Sequence, residues 1–151
     1  MAKGTYVALR VLDPANTQIY NHCGKAGISV KKSLFERRLH TTLIYSRVHN
    51  PNLVTKPENV YICTFAGYDV FDTSVPDQKA LVMRLDAPAV EKRHEFLMKE
   101  YGLSYDHKSF KPHITVTYNY CGGDISKLLP YQGIILLGEE YMEDMDLDWG
   151  K

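Results

Sequence analysis

Two short segments of the chain each place a histidine and a threonine two residues apart at the head of an apolar run. They are LHTTLIYS, with His40 and Thr42, and KPHITVTYN, with His113 and Thr115. In a β-strand, residues i and i+2 lie on the same face, so each histidine shares a face with its threonine. Imidazole titrates near pH 6.5 and can both take and give a proton at neutral pH. Hydroxyl groups can donate to phosphate oxygens, so the four side chains suit acid–base cleavage of a phosphodiester.

Metal-dependent chemistry fits these two segments less well. A dinuclear metal centre requires several carboxylates, and a zinc site requires three or four protein ligands. Neither segment contains a carboxylate. We therefore expect no metal and no other cofactor. The alternative for each histidine taken alone is a half-buried strand residue that hydrogen-bonds to the backbone.

The elements that must position these side chains follow from the pattern of apolar residues and of Gly and Pro. Strands alternate with two helices in the order strand, helix, strands, helix, strands, which predicts a single α+β domain over residues 1–151 with a mostly antiparallel sheet. The first helix is expected to start at Asp13 or Pro14, and the second to run from Pro88 to Gly102. The expected strands are Thr5–Leu12, Leu39–Ser46, Val60–Asp72, Lys79–Asp86, His113–Tyr120 and Gly133–Glu143.

LHTTL and KPHITV resemble the paired His-x-Thr motifs of the two-histidine (2H) phosphoesterase superfamily, and the order of elements agrees over essentially the whole chain. The resemblance implies two pseudo-symmetric lobes of antiparallel sheet with helices on the outer faces. Within that superfamily the chain looks most like the small anti-CBASS proteins of T4-like tailed phages. The matching features are the 151-residue length, the GTYVAL start and the acidic C-terminal segment with its lone Trp149.

This resemblance implies metal-independent cleavage of cyclic di- and trinucleotide signals, with His40, Thr42, His113 and Thr115 as the catalytic residues. A ribose 2′-hydroxyl would attack the adjacent phosphate, and a 2′,3′-cyclic phosphate would then open to a 3′-phosphate. Which histidine is the base stays open. Two alternatives also stay open: an enzyme that opens 2′,3′-cyclic phosphates at RNA ends, and a non-catalytic protein that sequesters cyclic nucleotides.

Four further residues are candidates for binding the substrate. Tyr6 could stack on a base, or it could be an ordinary core aromatic residue. Lys111 could contact a phosphate, or it could be a solvated loop charge. Trp149 and Glu143 lie in a segment with six acidic residues and could form a lid that stacks on a base and accepts from its amine. The alternative is a tail whose tryptophan packs back on the core.

The bulk composition limits the partners that the protein could have. Lys+Arg and Asp+Glu are equal at 18 each, which argues against binding to long nucleic acid. Cys23, Cys63 and Cys121 are odd in number and widely spaced, so they predict buried thiols in a reducing compartment. The chain has no apolar run of membrane-spanning length and no signal peptide, so we expect a cytoplasmic protein, in the host cell if a phage encodes it. No obligate protein partner is evident.

Overall fold

The computed structural model describes residues 2–28, 39–73, 75–105, 109–120 and 123–147. Trp149 and Cys121 lie outside these residues. Within them the chain forms six strands, two α-helices and a short 3₁₀ turn at Ile125–Lys127, in the predicted order. The elements are β1 (Lys3–Val11), α1 (Ala15–Lys25), β2 (His40–Ser46), β3 (Tyr61–Asp72), β4 (Lys79–Asp86), α2 (Pro88–Tyr101), β5 (His113–Thr117) and β6 (Ile134–Asp146).

All six strands belong to one antiparallel sheet, in the order β2-β1-β6-β3-β4-β5. The α+β class is therefore confirmed. The expected division into two lobes is not marked by a break in hydrogen bonding, because β6 pairs with β1 on one side and with β3 on the other. β2 and β5 stand at opposite ends of this order, yet they contact each other. The sheet therefore curves until the two strands that carry the His-x-Thr segments meet.

The two faces of the sheet differ in what covers them. On β1, Val7 and Leu9 are fully buried in a core that also contains Ile19 of α1 and Leu97 of α2. Full burial of a side chain of this size contributes roughly 1.5–3 kcal/mol, so the helix-covered face supplies most of the stabilisation. Tyr6, Ala8 and Arg10 alternate with these residues and lie on the opposite face, which is the face of the candidate site.

A β-bulge interrupts β2 directly after its His-x-Thr segment. Val7 lies opposite Ile44 and Ala8 lies opposite Thr42, which leaves Leu43 as the extra residue. A bulge changes which way the following side chains face. Ile44 and Ser46 are buried as a result, although strict alternation predicts that they share a face with His40. The prediction that Thr41 packs inward is confirmed, since it is fully buried.

The acidic C-terminal segment is mostly strand, because β6 continues to Asp146 and pairs with β1 up to that residue. The last strand therefore extends three residues beyond its predicted end at Glu143, and the interpretation of the segment as a tail or lid is wrong as far as residue 146. Glu140 points to the helix-covered side and is buried, where its carboxylate accepts from Arg93 of α2 at 2.8 and 2.9 Å. Glu139, its neighbour in a second bulge, has a positive φ of 50°.

Two of the three cysteines lie within the described residues, and both are buried free thiols, as predicted. Burial raises the pKa of Cys23 and of Cys63 to about 12, which keeps both protonated and unreactive at neutral pH. Within the described ranges, neither helix has the length and apolar content needed to cross a membrane.

Candidate active site

The first half of the candidate site is built on β2 and its neighbour β1. His40 lies opposite Arg10, and Thr42 lies opposite Ala8, so both project on the face that the helices do not cover. The hydroxyl groups of Tyr6 and Thr42 form a hydrogen bond of 3.2 Å, and the rings of Tyr6 and His40 meet edge to face with centroids 6.5 Å apart. Tyr6 therefore fixes the side chains of both His40 and Thr42.

The second half of the site is built on β5. His113 Nδ1 donates to the carbonyl oxygen of Lys111 at 2.9 Å. A carbonyl can only accept, so Nδ1 carries a proton and Nε2 is the basic nitrogen of the neutral ring. Phe71 packs edge to face on the imidazole with centroids 5.1 Å apart, which fixes its plane. Thr115 lies two residues further along the same face and is partly buried.

The electrostatic environment of His40 includes charged groups from both halves of the candidate site. The pKa of His40 lies below its usual value, chiefly because burial disfavours the charged ring, and then because His113 and Arg10 repel its charge. Glu143 acts in the opposite direction. Only groups that lie close together influence each other in this way. Together with the contact between β2 and β5, this places the two strands that carry the His-x-Thr pairs beside each other.

Three tyrosines surround the histidine pair. The rings of Tyr6 and Tyr141 have centroids 6.3 Å apart, and Tyr118 follows directly after β5. Burial is the main cause that raises the pKa of Tyr6, and Tyr118 raises the pKa of both Tyr6 and Tyr141 further through charge repulsion. Tyr6 and Tyr141 therefore stay protonated at neutral pH and can donate hydrogen bonds.

Arg10 is a site residue that the sequence analysis did not propose. Its guanidinium lies 4.3 Å from the centroid of the Tyr141 ring and 3.9 Å from a carboxylate oxygen of Glu139. The sequence does contain a pattern that predicts its position. Tyr6, Ala8 and Arg10 occupy every second position of a predicted strand, so they share one face. The same pattern predicts the position of Tyr141, since it lies two residues before Glu143 and therefore shares its strand face.

Three of the four predicted substrate-binding residues lie within the described part of the chain, each in a different part of the candidate site. Tyr6 lies in the candidate site and is only partly buried, so it is not an ordinary core aromatic residue. Glu143 lies opposite Tyr6 on β6 and is exposed, which places it in a fixed strand beside the histidines rather than on a lid. Lys111 is exposed and lines a cavity of about 710 Å³ together with His113 and Phe71. Trp149 lies outside the described residues, so its role stays a prediction.

Among the described residues, no group of three or more His, Cys, Asp or Glu side chains could hold a metal ion. Besides the Glu143 carboxylate, the polar groups near the imidazoles are hydroxyls of threonine and tyrosine and one guanidinium, which are hydrogen-bond donors toward an anionic ligand.

The fold and the site together define an α+β protein whose paired histidine–threonine strands converge on one face of a curved sheet. The chain belongs to the family described as Anti-CBASS protein Acb1, which it matches over residues 3–151. It is 29% identical to Anti-CBASS protein Acb1 of Acinetobacter phage Ac42, over 97% of this chain and 94% of that protein. The protein of the same name from Salmonella phage S16 is 28% identical over 98% of this chain and 92% of its own length. That of Enterobacteria phage T4 is 31% identical over 74% of this chain and 70% of its own length.

Proposed function

We propose that the protein cleaves the 3′–5′ phosphodiester bonds of cyclic di- and trinucleotide messengers without a metal ion, and so silences CBASS signalling in the cytoplasm of an infected host cell. The observation that carries this proposal is the meeting of β2 and β5, which brings two His-x-Thr pairs to one face. Membership of the Anti-CBASS protein Acb1 family supports the biological role. The antiparallel course of β2 and β5 is what the pseudo-symmetric arrangement of a 2H phosphoesterase would require.

In the first step of the proposed reaction, His40 is the base and His113 is the acid. His40 suits the base because its lowered pKa keeps it neutral at pH 7. It takes the proton of a ribose 2′-hydroxyl as that oxygen attacks the adjacent phosphorus. The bond from phosphorus to the 5′-oxygen breaks, and protonated His113 gives a proton to the departing oxygen. The products are a 2′,3′-cyclic phosphate and a free 5′-hydroxyl.

In the second step the two histidines exchange roles. Neutral His113 takes a proton from water as the water oxygen attacks phosphorus, and protonated His40 returns its proton to the departing 2′-oxygen. The bond from phosphorus to the 2′-oxygen breaks and leaves a linear product with a 3′-phosphate. Both histidines then regain their starting protonation states, so the cycle needs no other reactant than water.

The hydroxyl groups and the guanidinium would stabilise the negative charge on the non-bridging oxygens of the reacting phosphate during both steps. Thr42 and Thr115 would donate to the non-bridging oxygens, and the bond between Tyr6 and Thr42 holds one of these hydroxyls in place. Arg10, opposite His40, adds positive charge to the same face. For the rest of the substrate, we propose that Tyr6 stacks on a base, Glu143 accepts from a base amine and Lys111 contacts a phosphate, with Trp149 as a second stacking residue.

The first test separates this function from its two alternatives. Purified protein is incubated with 3′,3′-linked cyclic dinucleotides and excess EDTA, and the products are resolved by chromatography. We expect linear products with a 3′-phosphate at a rate that EDTA leaves unchanged, with a metal-dependent nuclease as the control for chelation. Loss of turnover in EDTA would contradict the mechanism. Opening of RNA 2′,3′-cyclic ends without turnover of rings would favour the RNA-end enzyme, and tight binding of intact rings would favour the sequestering protein.

The second test concerns the assignment of the base. The pKa of His40 lies below 6.5 in the protein without substrate. Since the pH dependence of kcat/KM reports the pKa values of the free enzyme, we expect kcat/KM to fall in acid with a midpoint below pH 6.5. Replacing Arg10 with Gln removes a positive charge that lowers this pKa, so the midpoint should move toward higher pH. The measurement is kcat/KM between pH 4.5 and 8 for both proteins. A midpoint that does not move in Arg10→Gln would argue against His40 as the base.

A further inference from the structure

His94 is a buried histidine outside the reacting pair, and it makes a hydrogen bond to the strand that carries His40. It lies on α2 with 6% of its surface exposed, and its Nδ1 is 2.7 Å from the carbonyl oxygen of Leu43. The carbonyl can only accept, so Nδ1 carries the proton and donates. The contact reaches across the core from a helix to a strand 51 residues earlier in the chain.

Leu43 is the extra residue of the β-bulge in β2, and it directly follows Thr42. The extra residue of a bulge falls out of the regular pairing, and its backbone groups need another partner when they are buried. The imidazole of His94 supplies that partner for the Leu43 carbonyl. The bulge turns the strand behind Thr42, so the His94 donor fixes the backbone from which Thr42 and His40 project.

The flat face of the same imidazole contacts the segment that leads into the other strand of the site. The His94 ring stacks on the Phe110 ring with centroids 4.0 Å apart and an angle of 7° between the planes. Tyr105 meets the imidazole from the side, with centroids 5.0 Å apart. Phe110 immediately precedes Lys111, whose carbonyl accepts from His113 Nδ1. The stacked ring therefore fixes the approach of the backbone that orients His113.

We propose that His94 is a positioning residue that fastens both His-x-Thr strands to one helix and thereby sets the spacing between His40 and His113. β2 and β5 are not hydrogen-bonded neighbours in the sheet, since four strands separate them in its order. Their alignment depends on contacts other than sheet hydrogen bonds, and His94 contacts β2 and the segment that leads into β5 at once. This proposal rests on the proposed function, in which the two imidazoles act on one phosphodiester.

Two substitutions separate the two contacts of His94. Phe in place of His94 keeps a flat ring on Phe110 but loses the donor to Leu43, and Asn keeps a donor near the Nδ1 position but loses most of the ring. For His94→Phe we expect kcat for cyclic dinucleotides to fall about 10- to 100-fold with KM changed less than about threefold, since misplacement slows the reaction more than binding. His94→Asn should recover part of the loss in kcat if the Leu43 bond is the more important contact.

Val90→Ala is the matched control, because Val90 is fully buried on the same helix and takes no part in either contact of His94. Activities are compared at a temperature well below the melting temperature of each variant. We expect Val90→Ala to lose stability but to keep its kcat. Unchanged kcat in His94→Phe, or an equal loss of kcat in Val90→Ala, would overturn the proposal.

A spectroscopic readout keeps the proposal testable without reference to turnover. The imidazole proton signals of His40 and His113 are assigned by NMR and compared between the wild-type protein, His94→Phe and Val90→Ala. We expect both signals to shift in His94→Phe and to stay within the variation of the control in Val90→Ala. If the wild-type protein turns over no cyclic nucleotide but both signals shift, the proposed function fails and the positioning role stands. If neither signal shifts, the positioning role fails whatever the activity.

Discussion

Alanine in place of His113 is expected to lower the turnover of cyclic dinucleotides by about 10³- to 10⁴-fold, at or near the top of the range for one acid or base group. The imidazole would protonate the departing 5′-oxygen, and Lys111 and Phe71 hold it for this task. The ring is partly exposed, so its removal should leave the melting temperature within a few degrees. The measurement is single-turnover kinetics together with a thermal unfolding curve. His40→Ala should show a loss of similar size.

A substrate with sulfur in place of the 5′-oxygen distinguishes the two roles. A thiolate departs without a proton, so this substrate should restore most of the rate of His113→Ala and little of the rate of His40→Ala. His49→Ala is the control, because His49 is also hydrogen-bonded, to Asp144 at 3.0 Å, but lies on the surface. It should keep the wild-type rate. If His113→Ala keeps more than a tenth of that rate, the residue is structural.

Breaking the buried ion pair between α2 and β6 should produce the largest loss of stability. Arg93 donates twice to the carboxylate of Glu140, and the backbone N–H of Lys56 donates to the same carboxylate at 2.7 Å. Removal of one partner leaves an unpaired charge in the core, which costs about 3–5 kcal/mol. Arg93→Met should therefore lower the melting temperature by roughly 6–20 °C for a chain of this length. Thermal and urea unfolding curves measure both quantities.

Two controls accompany this second prediction. Lys3→Met breaks an exposed ion pair with Asp144, 3.6 Å long, and should cost less than about 1 kcal/mol. The double variant Arg93→Met with Glu140→Leu removes both buried charges and should regain part of the stability that Arg93→Met loses. A loss below 1 kcal/mol in Arg93→Met would mean that this pair does not fasten the helix to the sheet.

The residue spacing of each His-x-Thr segment was enough to predict that the histidine and the threonine share one strand face, because strand alternation is a local property. The β-bulge at Leu43 could not be predicted in the same way. HTTLIYS reads equally well as an uninterrupted strand, and only pairing with β1 shows that Ile44 lies opposite Val7. The contact of His94 with Leu43 was missed for the same reason, since its partner exists only after the bulge has formed.

The acidic segment shows where local composition misleads. A run of acidic residues indicates a solvated tail, but the segment continues β6, which pairs with β1 as far as Asp146. Glu140 is buried because Arg93, 47 residues earlier in the chain, neutralises it. The contact between these two residues could not be predicted from the sequence, because it forms only when α2 packs against β6. Glu143 is consequently part of a rigid strand, whereas the sequence alone allowed it to move with Trp149.

The placement of β2 and β5 at the two ends of the strand order has a consequence for how the protein reaches its active form. The site has no local precursor, because His40 and His113 meet only when every intervening strand has paired and the sheet has curved. Contacts so distant in sequence form late and slowly during folding. Fraying at either edge strand separates the two histidines while the core of the sheet remains intact. Catalysis by the proposed mechanism would therefore depend on complete assembly of the sheet, and a partly folded chain would be inert toward any substrate.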